Sequence, residues 1–384
     1  MSTSGTALIV GAGIGGLAAG VALRRAEWTV RIHERAESQR ELGFALLLAP
    51  NAMAALDELG IADAVRAAGV SATRFEIRNP DGRVVRRFHQ QPGGRMVVAL
   101  RPVLHGALLE AVGQDAITLG SEAVALGETD GQATLALNDG RTDRGDVLVG
   151  ADGVGSIVRR LLHPAGPASV PSGFTALRGV ARGVGEQLGD LAAVGYLGHG
   201  IGAAAARASG EAVYWYLSLL SSEVAGSPAD AREIADRATR NFEPRFRAII
   251  EATSVDDMRL DELFVRRALP RWGAGRVTLL GDAAHPVLPH TAQGAAQALE
   301  DAVALGLALR SGRQVERALR DYERVRIPKT SRLIAMGPRI ARMTTTKNPV
   351  RIALRTALLR YVPERLLAKG TPGRTTDPHR ALRG

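Results

Sequence analysis

Apolar residues along this chain fall into short runs that end at glycine. The run from Thr6 to Val10 stops at Gly11, the pattern of a strand buried in a parallel sheet. From Ile14 to Ala26 apolar positions recur at helical spacing, with Arg24 and Arg25 near the end, where cations suit the helix dipole. Thr29 to His33 reads as a second strand, ending at Glu34. A simple Rossmann sheet would continue at once, but this one is interrupted. A helix near Asn51–Leu59 and strand-like runs at Arg83–Phe88, Met96–Leu100 and Ala133–Leu137 intervene. The last of these enters the turn signal Asn138-Asp139-Gly140. Asp146 to Val149 resumes the buried-strand pattern and leads to Gly150 and Asp152.

A second excursion spans residues 170–268. Phe174–Val184, Ala192–Leu197 and Ala212–Leu219 read as strands, and Ala229–Ala252 as an amphipathic helix. Arg276–Leu280 returns as a buried strand before Gly281-Asp282. Ala292–Arg310 and Glu316–Ala341 are helical, and Asn348–Lys369 is helical with a break near Pro363. Gly370–Gly384 is rich in Gly, Pro, Thr and Arg and is expected to fray. The expected class is α/β. A Rossmann-like dinucleotide-binding domain (1–169 and 269–340) is interrupted by a mostly antiparallel-sheet substrate domain (170–268). A basic, helical C-terminal segment and tail (341–384) follows. A ligand of the first domain would lie under the second sheet.

Composition narrows the function classes. With 384 residues the chain can bury a sizeable core. It has no cysteine, which excludes disulfides, thiolate catalysis and cysteine-based metal or iron–sulfur sites and fits a cytoplasmic location. Eight histidines without a His-rich cluster predict no metal site. Met1–Thr6 lacks the features of a secretory signal, and no apolar run is long enough for a membrane span. The net charge of +10 is a property of residues 331–384, which hold twelve basic and two acidic residues; the rest of the chain is balanced. A solvated Arg-rich helix and tail explains this, as does weak contact of 341–384 with an anionic membrane surface. Tyr361 is the one aromatic residue in that stretch, so no nucleic-acid partner is expected.

The glycine islands carry the candidate chemistry. In Gly11-Ala12-Gly13-Ile14-Gly15-Gly16, Gly11 permits the tight turn, Gly13 lets backbone approach a pyrophosphate, and Gly16 lets helix and sheet pack closely. The helix N-terminus offers its N–H groups to phosphate. Glu34, followed by Arg35, stands where a carboxylate accepts from both ribose hydroxyls of an adenosine; a 2′-phosphate would be repelled, which favours FAD or NAD over NADP. Asp152-Gly153 and Gly281-Asp282 each follow a buried strand, where ligands of open α/β sheets collect. Either aspartate could instead cap a helix.

Taken together, these residues resemble a single-component FAD-dependent aromatic hydroxylase of the p-hydroxybenzoate or salicylate hydroxylase type, over about residues 5–340. The resemblance implies a Rossmann-like FAD-binding domain whose first island and Glu34 hold the adenosine half. It implies that Asp152-Gly153 serves FAD and NAD(P)H and that Gly281-Asp282 binds the ribityl chain. The stretch Pro286–Asp301, including Gly294 and Ala295, would lie beside the isoalloxazine. Arg101 matches a flavin-contacting arginine, Gly43–Leu56 the segment leading over the flavin, and Val124 a backbone contact to adenine. Many relatives have Gly-Gln-Gly where this chain has Ala292-Gln293-Gly294. The implied reaction uses NAD(P)H and O₂ and passes through a flavin C4a-hydroperoxide to hydroxylate an aromatic or polyketide-like small molecule. Epoxidation or Baeyer–Villiger oxidation on the same scaffold, or FAD reduction or dehydrogenation without oxygen insertion, are the alternatives. A monomer or homodimer is expected.

Tyr214 and Tyr216 alternate on one strand and share a face. They line the substrate pocket if that face looks onto the flavin, and pack in a core if it does not. His290 is the best-placed histidine, and the resemblance puts Pro289 and Gln293 beside the flavin as positioning groups. His199 reads as a surface-loop residue. Arg178 reads either as a partner for a substrate carboxylate or as a sheet-edge arginine.

Overall fold

A computed structural model describes residues 5–38, 44–89, 96–224, 230–310 and 312–363. Gly43, Ala229 and residues 364–384, with the end of the expected Asn348–Lys369 helix and the Gly370–Gly384 tail, lie outside the described residues. The chain begins β1 (Thr6–Val10), α1 (Ile14–Arg24), β2 (Thr29–His33), β3 (Ala45–Leu48), α2 (Pro50–Leu59), α3 (Ala62–Ala68) and β4 (Val70–Ser71). It continues through β5 (Arg74–Arg78), β6 (Val84–His89), β7 (Val97–Leu100), α4 (Arg101–Val112) and β8 (Ile117–Thr118). Next come β9 (Ala123–Thr129), β10 (Gln132–Leu137), β11 (Thr142–Gly145), β12 (Val147–Gly150) and α5 (Ile157–Leu162). The second excursion holds β13 (Val170–Ala181), β14 (Ala193–Leu197), β15 (Gly202–Ser209), β16 (Ala212–Leu220), α6 (Ser221–Val224), α7 (Ala231–Thr239), α8 (Pro244–Glu251) and β17 (Met258–Val265). The chain then returns through β18 (Val277–Leu279), α9 (Gly294–Arg310), α10 (Val315–Thr344) and α11 (Pro349–Tyr361).

The three islands meet because their strands are neighbours. The five-stranded parallel sheet has the order β18-β12-β1-β2-β8. Val10 pairs with Gly150, and Gly150 with Leu279, so strands far apart in sequence end side by side. Ala7, Leu8 and Ile9 of β1 are fully buried, as an all-apolar central strand must be. Helices α1 and α9 pack on this sheet in one core with α2, α4 and part of α10.

Above it lies a seven-stranded sheet, β17-β13-β16-β15-β14-β5-β6, antiparallel except for the β14–β5 pair. Two of its strands come from residues 74–89, outside the 170–268 stretch expected to supply it. Its far face buries Trp215 and Leu217 against Ile234, Phe246, Ile249 and Ile250 of α7 and α8. The amphipathic stretch 229–252 is thus two helices rather than one. Pro244 cannot donate into a continuing helix and sits at the first turn of α8, after the extended residue Glu243. The strand β15 escaped the periodicity reading because its sequence, GAAAARAS, has no β-branched or aromatic residue. The helix expected from Ala292 begins instead at Gly294, because Ala292 itself has a left-handed backbone, φ 49°.

A buried ionic cluster ties α9 and α10 to the turn after β18. Asp301 accepts from the Gly281 N–H (2.9 Å), contacts His285 Nε2 (2.5 Å), and accepts from Arg326 Nε (2.6 Å). Arg326 also donates to Glu300 (2.6 Å) and to Gln297, and Lys329 donates to Glu300. Burial alone would raise the Asp301 carboxyl, but His285 and Arg326 outweigh it and hold it below its ordinary range. Arg326→Met leaves two buried carboxylates without their guanidinium. It should cost about 3–5 kcal/mol in chemical denaturation, and a loss below about 1 kcal/mol would show that the cluster is not an anchor.

Candidate active site

Between the parallel sheet and the seven-stranded sheet lies a cavity of about 550 Å³. Its floor is built from all three islands: Gly13, Ile14 and Gly15; Ala151 and Gly153; and Leu280, Gly281 and Asp282. Arg101 at the start of α4 joins them, as do Pro289, His290, Gln293, Gly294 and Ala295 before and within the first turn of α9. The roof is the near face of β13, β15 and β16, with Arg178, Ala204, Ala206, Tyr214, Tyr216 and Ser218. Leu46, Leu47 and Val98 close one side. The two tyrosines therefore face the cavity, while Trp215 between them points into the far core and donates to Thr253.

The first island is shaped for a phosphate. Gly11 has φ 103°, and a Cβ there would lie 2.6 Å from the Ala151 carbonyl oxygen. A Cβ on Gly16 would lie 1.8 Å from the Gly11 carbonyl oxygen, so the helix can touch the turn only through glycine. Gly13 is different: no heavy atom lies within 4 Å of its Cβ position, which opens onto the cavity. No side chain caps α1 and its first turn has no acid, which suits an anionic ligand at its N-terminus. An uncapped helix start, an open Gly13 and a mostly apolar cavity of this size fit a dinucleotide.

Glu34 stands at the end of β2 and steadies this turn. Its carboxylate accepts from the Ala12 N–H (2.7 Å) and the Ala36 N–H (2.9 Å). Its backbone joins the strand that leads to Val124, because the Ser121 N–H donates to the Glu34 carbonyl. Arg35 and Val124 are exposed, and neither reaches the cavity. His105, which sequence reasoning passed over, is buried on α4 with Nε2 2.9 Å from the Ala12 carbonyl. Its helical spacing from Arg101 was the available signal.

The two aspartates part company. Asp152 caps α5: its carboxylate accepts from Ser156 Oγ (2.5 Å) and the Ile157 N–H (2.7 Å). Gly153 faces the cavity, but Asp152 does not line it. Asp282 does. It lies deep in the fold yet is wetted from the cavity; desolvation pushes its carboxyl up, opposed by His285 and Arg101. Arg159 holds the turn beneath it by donating to the carbonyls of Ala283 and Ala284.

At the roof, His290 Nε2 lies 2.6 Å from Ser218 Oγ, and the Tyr216 ring stands nearly perpendicular to the imidazole, 6.2 Å away. The Tyr216 hydroxyl is buried with Ser218 beside it, yet makes no hydrogen bond to any described residue. Burial pushes the Tyr214 phenol up to about 12 and raises Tyr216 as well, so both stay protonated near neutrality. Burial lowers His290 to about 4, so its imidazole is neutral. Arg178 is not at a sheet edge: β13 pairs on both sides. Its guanidinium is held by Asp261 and rests over the Phe44 ring, 4.9 Å from the centroid. His199 is exposed. Gln293 is fixed from below by Asn51, whose amide donates to Gln293 (3.0 Å) and Glu300 (2.6 Å). Among the described residues no three His, Asp or Glu side chains gather as a metal site.

This geometry makes two outcomes testable. Gly16→Ala should lose about 3 kcal/mol in urea unfolding, because backbone must move, whereas Gly13→Ala should leave the midpoint unchanged; equal effects would refute the assignment of one glycine to packing and the other to ligand space. The folded His290 has its pKa below its unfolded value, so the unfolded chain takes up the proton first. Its contribution to stability is complete above pH 6.5 and is lost as pH falls towards about 4. His290→Gln should flatten the melting-temperature profile in that window, and an unchanged slope would count against burial of a neutral imidazole.

The family model described as FAD binding domain matches residues 5–336. The chain is 33% identical to the aurachin C monooxygenase/isomerase of Stigmatella aurantiaca, covering 94% of this chain and 95% of that protein. It is 34% identical to 3-hydroxybenzoate 6-hydroxylase 1 of Aquipseudomonas alcaligenes, over 85% and 86% of the two chains. The crystal structure of Klebsiella pneumoniae HpxO complexed with FAD and uric acid superposes with a TM-score of 0.88 at 26% identity, over 96% of this chain and 95% of that one. An open glycine cradle beneath a tyrosine-lined roof, on a chain matched over most of its length by such relatives, identifies this protein as a member of the single-component FAD-dependent aromatic hydroxylase family, a flavoprotein monooxygenase.

Proposed function

We propose that the chain uses a reduced nicotinamide and O₂ to hydroxylate an electron-rich aromatic or polyketide-like small molecule in this cavity. The observation that carries the reading is the meeting, in one cavity, of the three-island floor with Tyr214, Tyr216 and His290 of the roof and α9 loop. In it Gly13–Gly15 and the α1 N-terminus hold the pyrophosphate, and Glu34, outside the cavity lining, holds the adenosine ribose. Asp282 takes the ribityl chain, and Arg101 with Gly294 and Ala295 flanks the ring system. FAD, when bound, supplies the redox chemistry and the activation of oxygen.

The protein's own part is to orient and to exclude water. Tyr214 and Tyr216, protonated at neutral pH, donate hydrogen bonds to a substrate oxygen rather than remove its proton. His290 is neutral and paired with Ser218, which suits it to relay the phenolic proton. Pro289 and Gln293 hold the loop that carries it. The relatives named for hydroxybenzoates support a phenolic substrate. The small side chains of Ala204 and Ala206 beside the two tyrosines leave room for a bulkier, polyketide-like phenol. Arg178, already held by Asp261, gives no support to recognition of a substrate carboxylate.

The test is NADH and NADPH oxidation over a panel of phenols, aromatic acids and fused-ring phenols under labelled O₂, with hydrogen peroxide measured alongside. One labelled oxygen per product is expected at a ring carbon. Label in an epoxide or lactone would redirect the reading to the alternative oxygenations, and unlabelled product to a reductase or dehydrogenase. Tyr216→Phe should lower coupled turnover about 3–10-fold, the worth of one hydrogen bond, while raising the share of peroxide; unchanged coupling would remove Tyr216 from the substrate site.

A further inference from the structure

The last described helix, α11, is amphipathic in the reverse sense for a helix at the edge of a fold. Its inner side is fixed by polar contacts. Arg355 is buried and donates to the carbonyls of Met343, Thr344, Leu197 and Gly198. Arg86 of β6 donates to the carbonyls of Leu359 and Val362. The outer side is apolar. Val350, Leu354, Leu358 and Tyr361 are 73%, 59%, 47% and 76% exposed. Their spacing of four, four and three puts them on one stripe, with the exposed Ala353 and Ala357 beside it. Arg351 and Arg360 are exposed on opposite flanks of that stripe. Residues 331–363 hold seven basic side chains and no acidic one.

We infer that α11 is a surface-docking helix for an anionic phospholipid membrane, lying in the plane of the interface. An apolar face flanked by arginines matches the chemistry of a headgroup layer, where aliphatic side chains enter the acyl boundary and guanidiniums meet phosphates. The charge argues against the alternatives. A second copy would bring the same cations against these, and a neutral apolar partner would gain nothing from them. At 13 residues the helix is about 20 Å long, which suits lying flat and not crossing; no helix among the described residues is long and apolar enough to span a bilayer. Two of the carbonyls that hold Arg355, those of Thr344 and Leu197, belong to residues that line the cavity. Docking through α11 therefore brings the cavity wall to the membrane surface. The inference rests on α11 and its anchors and is independent of which reaction the cavity performs.

The test is co-sedimentation of the full-length, FAD-loaded chain with phosphatidylcholine vesicles, with and without phosphatidylglycerol. Binding is expected only with the anionic lipid, and it should fall steeply towards about 1 M salt, where charges are screened within about 3 Å. Two double variants read the two halves of the face: Leu354→Ser with Leu358→Ser, and Arg351→Glu with Arg360→Glu. Each should weaken partitioning at least about tenfold, with the flavin spectrum and melting temperature unchanged, since all four side chains are exposed. No binding to anionic vesicles overturns the inference, and so does binding that both variants retain, which would assign it to residues 364–384. A full-length dimer that becomes monomeric in the serine variant also overturns it, because the face would then belong to a second copy.

Discussion

Much of this structure depends on one buried carboxylate. Asp301 has no solvent exposure, and its charge is kept by three groups from different parts of the chain: the Gly281 N–H, His285 and Arg326. The first two belong to the turn that follows β18, and the third to α10. Asp301 itself sits within α9, whose first turn lines the cavity. A single anion thereby sets how the turn after β18, the helix that starts beside it and the long helix behind it meet. Glu300, next in line, extends the same charge balance to Lys329 and Asn51, and through Asn51 to Gln293. The cavity floor is thus held by electrostatics that only complete burial makes strong.

The parts of the fold legible in the sequence are those where one physical requirement dominates. Central strands such as β1 and β12 are apolar throughout because both faces are covered, and the glycine turn after β1 follows from close backbone approach. The islands therefore pointed to one cradle. The roof was harder to read. Its strand β15, GAAAARAS, has no β-branched or aromatic residue, so the usual strand signal is missing. Its strand β17, MRLDELFV, carries charges in a sheet because one of them, Asp261, holds Arg178. The strand β5 pairs Phe75 with Ala193, far along the chain, and no local pattern reports such pairing.

The site was legible to a similar depth. Gly13, Arg101, Asp282, Pro289, His290, Gln293, Gly294 and Ala295 line the cavity, and Tyr214 and Tyr216 share the face that looks into it. Asp152 has the same local sequence logic as Asp282, yet its carboxylate caps α5. The two differ in the chain immediately downstream. After Asp152 a serine and a helix come four residues on, whereas Asp282 lies in a one-turn 3₁₀ segment opening on the cavity. His105 and Asn51 were missed because they act on backbone and on other side chains, and such supporting roles leave no motif. Ala292 adopts a left-handed backbone, φ 49°, which costs a non-glycine residue about 1 kcal/mol.

The pairing of Val10 with Gly150 and of Gly150 with Leu279 has a consequence for how the molecule comes into being. No contiguous piece of the chain contains the cradle. A ribosome must deliver most of the polypeptide before the third island can join the first two, and until then β12 has an unpaired edge where β18 belongs. Such long-range closure is slow and leaves intermediates open to aggregation. The cradle exists only in the finished topology, so a chain that stops before β18 has no complete pocket to offer a cofactor.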